Sequence, residues 1–172
     1  MPNHCPNKKL QGLQITLPTA PKPVASYLPA RRSGNQVFIS GQIPFEQGEL
    51  IATGLVPSMV NMETAVRCAR ACTLNALACL KAEIGDLGLV TGVVRVGVFV
   101  ACDPDFGGHP QIANGCSDLL VEIFGDIGKH ARAAVGCASL PLNAPVEIEF
   151  LFEIADSLSE GFGVIGEESL DA

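Results

Sequence analysis

The sequence predicts an α+β domain in which a mixed, mostly antiparallel β-sheet carries two helices on one face. Three observations predict it. Over residues 145–154, Val146, Ile148, Phe150, Phe152 and Ile154 alternate with Glu147, Glu149, Leu151 and Glu153, the period of a half-buried strand. Over residues 62–84, Ala65, Cys68, Ala69, Cys72, Ala76, Cys79 and Leu80 recur instead at helical spacing. Between these segments, "VVRVGVFVA" (93–101) is rich in valine and reads as a buried strand. Burying all three stripes in one core puts the helices on one side of the sheet. The other side still needs cover, and a second subunit is the simplest one.

Taken in order, the chain opens with residues 1–21, which contain no acid and lack the apolar core of a signal peptide, so a disordered leader is expected. "NQVFISGQI" (35–43) is β-prone, and Gly48 marks a turn in the "FEQGEL" that follows it. Asn61 or Ser58 can cap the first long helix, and Gly85 can end it. Pro110 suits the first turn of a second helix, whose stripe is Ile112, Cys116, Leu119, Leu120 and Ile123 and whose close is Gly125. Two strands follow, over about 132–139 and 145–154, joined by "LPLNAP". The tail, residues 157–172, is rich in glycine and acid and is expected to lie outside the core.

At 172 residues the chain suits one domain. It is 48% hydrophobic and only 17% charged, a balance that favours burying part of the exterior against copies of itself. The net charge of −7 argues against a nucleic-acid backbone as the main partner. Arg31 and Arg32 read as solvated loop charges. None of the seven cysteines forms a CxxC, and most lie in apolar runs, so they read as buried thiols of a reducing compartment. The three histidines are scattered, with no metal-ligand spacing, so neither metal nor cofactor is expected. No apolar run is long enough for a membrane span, and a cytoplasmic location is expected.

Residues in three places carry a resemblance. "VFISGQIP", "VVRVGVFV" and "ARAAVGCASLPLNAPVEIE" occur in the order in which similar segments occur in the RidA/YjgF family of reactive imine and enamine deaminases, whose older label is L-PSP endoribonuclease. The likeness spans about residues 22–156 and is greatest to a longer-chain branch with "HPQIANGCSDLL" before the arginine. It implies a chorismate-mutase-like fold assembled as a homotrimer, with clefts between subunits. It also implies a small carboxylate-bearing metabolite as ligand, no cofactor, and hydrolysis of 2-imino or enamine acids to a 2-keto acid and ammonia.

The resemblance further implies the site. Arg132 matches the arginine that takes the substrate carboxylate, and Glu147 the glutamate that positions or activates water. Tyr27 matches a tyrosine lining the cleft. Ser40 and Gly41 match a turn whose backbone faces the ligand, and Asn114 an asparagine early in the second helix. Ala134 stands where a cysteine is common, a change of little consequence if only its backbone N–H is used.

The residue types suit that chemistry. A guanidinium offers a planar fork to a carboxylate. A carboxyl group can serve the attacking water and the tetrahedral intermediate. The imine is already electrophilic, so neither nucleophile nor metal is required. A binder of small carboxylates without turnover would use the same Arg132. RNA cleavage is the weakest alternative, for want of an aromatic-rich basic surface or a histidine pair.

One geometric expectation follows. If the strands at 132–139 and 145–154 form a hairpin pairing Ala138 with Val146, Arg132 lies opposite Phe152, and Glu147 is on the order of 17 Å away. The two meet only through a bulge or across a subunit boundary, and the boundary is the expectation the resemblance favours.

Overall fold

A computed structural model of the protein describes residues 5–20 and 26–155. In chain order these form helix α1 (Pro6–Gly12), strands β1 (Ala30–Ser33), β2 (Gln36–Gln42), β3 (Phe45–Glu46) and β4 (Glu49–Leu50), helix α2 (Met62–Ile84), strand β5 (Val90–Ala101), helix α3 (His109–Phe124), and strands β6 (Ala131–Cys137) and β7 (Val146–Ile154). Five strands make one sheet in the order β1-β2-β7-β5-β6, and β3 pairs with β4 alone. All pairings in the five-stranded sheet are antiparallel except β5 with β6.

The alternation in β7 sets the layering. Val146, Ile148, Phe150, Phe152 and Ile154 are buried, and the residues between them are half-buried. Their buried faces join Val96, Val98 and Val100 of β5 in a core closed by α2 and α3. The expected stripes form the undersides of both helices, for Cys68, Cys72, Leu80, Ile112, Leu119 and Ile123 are all buried. Asn61 is the cap of α2, its side chain accepting from Thr64 N–H at 2.8 Å. Ser58 is engaged elsewhere, donating its hydroxyl to Asp103 at 2.9 Å. The seven cysteines are free thiols, four of them buried.

Small residues set how closely the helices approach. A Cβ at Gly115 of α3 would stand 2.5 Å from the Val66 carbonyl oxygen of α2. Gly115→Ala must therefore push the two helices apart, at a cost of about 1–3 kcal/mol. Thermal unfolding of that variant is expected to show a fall in Tm of several degrees.

The structure departs from the sequence expectations in three places. In the segment expected to be a disordered leader, residues 6–12 form α1, because Leu10 buries and Ile15 and Leu17 pack on the core. Arg31 and Arg32, expected in a loop, lie in β1, an edge strand paired with β2 around Gly34 (φ +62°). A four-residue strand with two adjacent arginines has no alternation to reveal it. Most consequentially, β6 and β7 form no hairpin, because β5 lies between them and pairs with both. The tail expected over 157–172 falls outside the described residues. Among those residues, no helix is long and apolar enough to cross a membrane.

Candidate functional site

Strand β7 carries three glutamates on the face that alternates away from the core, and their surroundings differ. Glu149 accepts from Arg95 at 3.2 Å. Glu153 accepts from Thr91 at 3.1 Å and from Asn35 at 3.3 Å. Glu147 takes no hydrogen bond from any other described residue and lines a cavity of about 760 Å³. Burial first, and then the charge of Glu149, raise its carboxyl above the usual carboxylate range. A half-buried carboxyl shifted this way and facing open volume has the properties of a general acid/base.

Its neighbours follow from a break in the β2–β7 register between Ile39 and Gln42, a bulge that holds Ser40 and Gly41. These two residues were expected in a turn, and they lie instead within β2. The bulge brings the Gly41 backbone against Glu147, so that a Cβ at Gly41 would stand 2.8 Å from the Glu147 Cδ and fall on the carboxylate itself. Gly41→Ala is therefore expected to displace Glu147 and cut kcat at least tenfold. A measured rate equal to that of the unaltered protein would show that the position of Glu147 does not matter. Ser40 donates its hydroxyl to the Leu28 carbonyl at 2.7 Å and its N–H to the Pro29 carbonyl at 3.0 Å. It thereby ties down the segment that carries Tyr27, which is 54% exposed and lines the same cavity. Gln42, Pro141 and Leu142 are among the other residues that line it.

The remaining candidates lie at the other edge of the sheet. Arg132 of β6 pairs in register with Val96, a core residue, so its side chain leaves the sheet on the helix side. There its Nη1 donates to Asn114 Oδ1 at 2.9 Å and to Ser117 Oγ at 3.0 Å, both on α3. Those two bonds use both hydrogens of Nη1 and leave Nε–H and Nη2, on an exposed side chain, without an acceptor among the described residues. Ala134 follows two residues on, on the same side of β6 and packed against the core. Ser117 was not foreseen. Its signal was the i, i+3 spacing from Asn114, which puts both on one helix face.

Within one chain the seven expected residues thus fall into two groups. Tyr27, Ser40, Gly41 and Glu147 line one cavity. Asn114, Arg132 and Ala134 stand together at β6 and α3. Glu147 pairs with Phe99, which pairs with Val135, three residues along β6 from Arg132. Two strand spacings across and three residues along separate the Cα atoms of Arg132 and Glu147 by on the order of 14 Å, with their side chains on opposite faces. The hairpin register that paired Arg132 with Phe152 is replaced by one that puts Arg132 in line with Val96 and Phe150. The outer side of β6 pairs with no other described strand, and Arg132 is its one charged residue.

Comparison with known proteins places these features in context. The family described as "YjgF/chorismate mutase-like, putative endoribonuclease" matches residues 7–154. Protein TCP17 of Trypanosoma cruzi is 40% identical over 146 residues, covering 84% of this chain and 91% of that protein. The 2-iminobutanoate/2-iminopropanoate deaminase of Dermatophagoides farinae is 33% identical over 142 residues, covering 81% and 94%. A crystal structure of an Agrobacterium tumefaciens protein of unknown function superposes with a TM-score of 0.80 at 42% identity, covering 87% of this chain and 91% of that one.

Proposed function

The chain belongs to the YjgF/chorismate-mutase-like family, and from that premise we propose that it hydrolyses small reactive 2-imino or enamine acids, releasing a 2-keto acid and ammonia. The observation that carries the reading is Glu147, a carboxyl raised by burial, without a donor among the described residues, at the wall of an open cavity.

In this reading Nε–H and Nη2 of Arg132 grip the substrate carboxylate. Glu147, ionised, takes a proton from water as the oxygen attacks the C2 carbon of the imine in its N-protonated, iminium form. The imine nitrogen becomes an amine on a tetrahedral carbon. Glu147 returns the proton to that nitrogen, the C–N bond breaks, and the C2 hydroxyl loses its proton to leave the keto group and ammonia. An enamine enters the same route after protonation at C3 gives the iminium.

Arg132 and Glu147 act on one substrate only if they come from different subunits. We therefore place the site in a cleft of a homotrimer, where the open edge of β6 on one subunit faces the Glu147 cavity of the next. The outer face of the sheet, where Phe38 is 46% and Val135 48% exposed among the described residues, supports such burial.

The test is turnover. Purified protein should accelerate loss of 2-iminobutanoate generated in place from L-2-aminobutyrate by an amino-acid oxidase, monitored by trapping the surviving imine. No acceleration, with a 2-keto acid still bound, would favour the binder of small carboxylates.

A further inference from the structure

We propose that His130 is a positioning residue: acting through Ser117, it fixes the orientation in which the Arg132 guanidinium receives the substrate carboxylate. The inference rests on the reading of Arg132 as the carboxylate anchor.

The bonding can be followed atom by atom. His130 stands at the entrance to β6, just after the turn at Gly125–Gly128. Its Nδ1 lies 2.6 Å from the Gly128 carbonyl oxygen. A carbonyl oxygen only accepts, so Nδ1 carries the proton. In the neutral ring Nε2 is then a lone pair, and it lies 2.9 Å from Ser117 Oγ. That makes Nε2 the acceptor and the Ser117 hydroxyl the donor. The Ser117 proton is thus directed at the imidazole, and an oxygen lone pair is left for Arg132 Nη1 at 3.0 Å. With Asn114 Oδ1 taking the other hydrogen of Nη1, the plane of the guanidinium is fixed at two points, and its Nε–H and Nη2 have no partner among the described residues.

The charges around the ring keep it in this state. Burial lowers the His130 pKa, and the Arg132 charge adds to that, against the Gly128 carbonyl. In the preceding turn, Asp126 and Lys129 satisfy each other at 2.7 Å in solvent. The ring is therefore neutral at neutral pH, the state in which it can accept from Ser117. A freely rotating Ser117 hydroxyl would point its proton at Arg132 in part of its range, and the ring removes that part. The gain is in ligand affinity, since the relay never touches the reacting carbon.

The experiment uses the full-length protein and 2-oxobutanoate, the hydrolysis product, as probe. Calorimetry should give His130→Phe a Kd raised about five- to tenfold, the scale of one neutral hydrogen bond. In turnover the loss should fall on KM, with kcat little changed. Ser117→Ala should weaken binding by a similar factor, and His130→Phe added to it should cost nothing more, because the link is already cut. Independent losses in the two variants, or an unchanged Kd in either, would overturn the relay. If His130→Phe does not fold, Ser117→Ala and the ring nitrogens decide. Nitrogen-15 shifts at pH 7.5 should show a protonated Nδ1 and a bare Nε2, and the reverse pattern or a charged ring would overturn the inference. Arg132→Ala separates the two claims. If it binds the probe as the unaltered protein does, the anchor reading fails. If it loses binding while the His130 and Ser117 variants keep it, only the relay fails.

Discussion

Replacing Arg132 with alanine is expected to abolish imine hydrolysis and leave the fold intact. The side chain is exposed, and its hydrogen bonds to Asn114 and Ser117 lie at the surface of α3, outside the core. Losing it should shift stability by no more than about 0.5 kcal/mol, the usual range for surface substitutions. The ligand loses two charge-assisted hydrogen bonds at roughly 1.5–3 kcal/mol each, so kcat/KM should fall at least 100-fold. Arg132→Lys should also be poor. One ammonium cannot satisfy Asn114, Ser117 and a carboxylate fork together. Steady-state kinetics beside a melting curve checks both halves of the prediction. Full activity in Arg132→Ala would remove the arginine from the mechanism.

Glu147→Gln is expected to keep carboxylate binding and to lose turnover. The amide fills the same space against Gly41 but cannot shuttle a proton. Loss of acid/base assistance costs about 10²–10⁴-fold, and a labile imine should sit at the low end. Glu149→Gln and Glu153→Gln are the controls, because both carboxylates are already committed, to Arg95 and to Thr91 with Asn35. Their rates should stay near that of the unaltered protein. Equal losses in all three would make the acidic face a field effect or interface structure. The pH profile adds a second check. In the proposed mechanism ionised Glu147 is the working form, so kcat should decline as pH falls through its raised pKa, at a higher pH than an ordinary carboxylate would give. Glu149→Gln removes one cause of that rise and should move the acid limb to lower pH.

How much of this could be read from the sequence follows from which signals are local. Asn61, Gly85, Pro110 and Gly125 mark both long helices, and period-two alternation marks β7, since each signal lies within a few residues. Strand order is not local. Nothing between Ala131 and Ile154 reveals that β5, some thirty residues earlier, inserts between β6 and β7. The hairpin expectation therefore failed in register, while its consequence, that Arg132 and Glu147 do not meet within one chain, still holds for a different geometric reason. The bulge at Ser40–Gly41 was equally hidden, because only the partner strand defines it. His130 read as a scattered histidine until the turn before β6 set it beside Ser117.

The most direct test of the proposed shared site combines two inactive variants. Arg132→Ala and Glu147→Gln chains carrying different affinity tags would be co-expressed, and complexes holding both recovered by two successive purifications. In a cyclic trimer with head-to-tail contacts, any such hybrid contains one cleft that receives an intact Arg132 from one subunit and an intact Glu147 from its neighbour. The account predicts that the hybrids recover about one third of the activity of the unaltered trimer, one cleft of three. Activity no greater than that of either variant alone would contradict it.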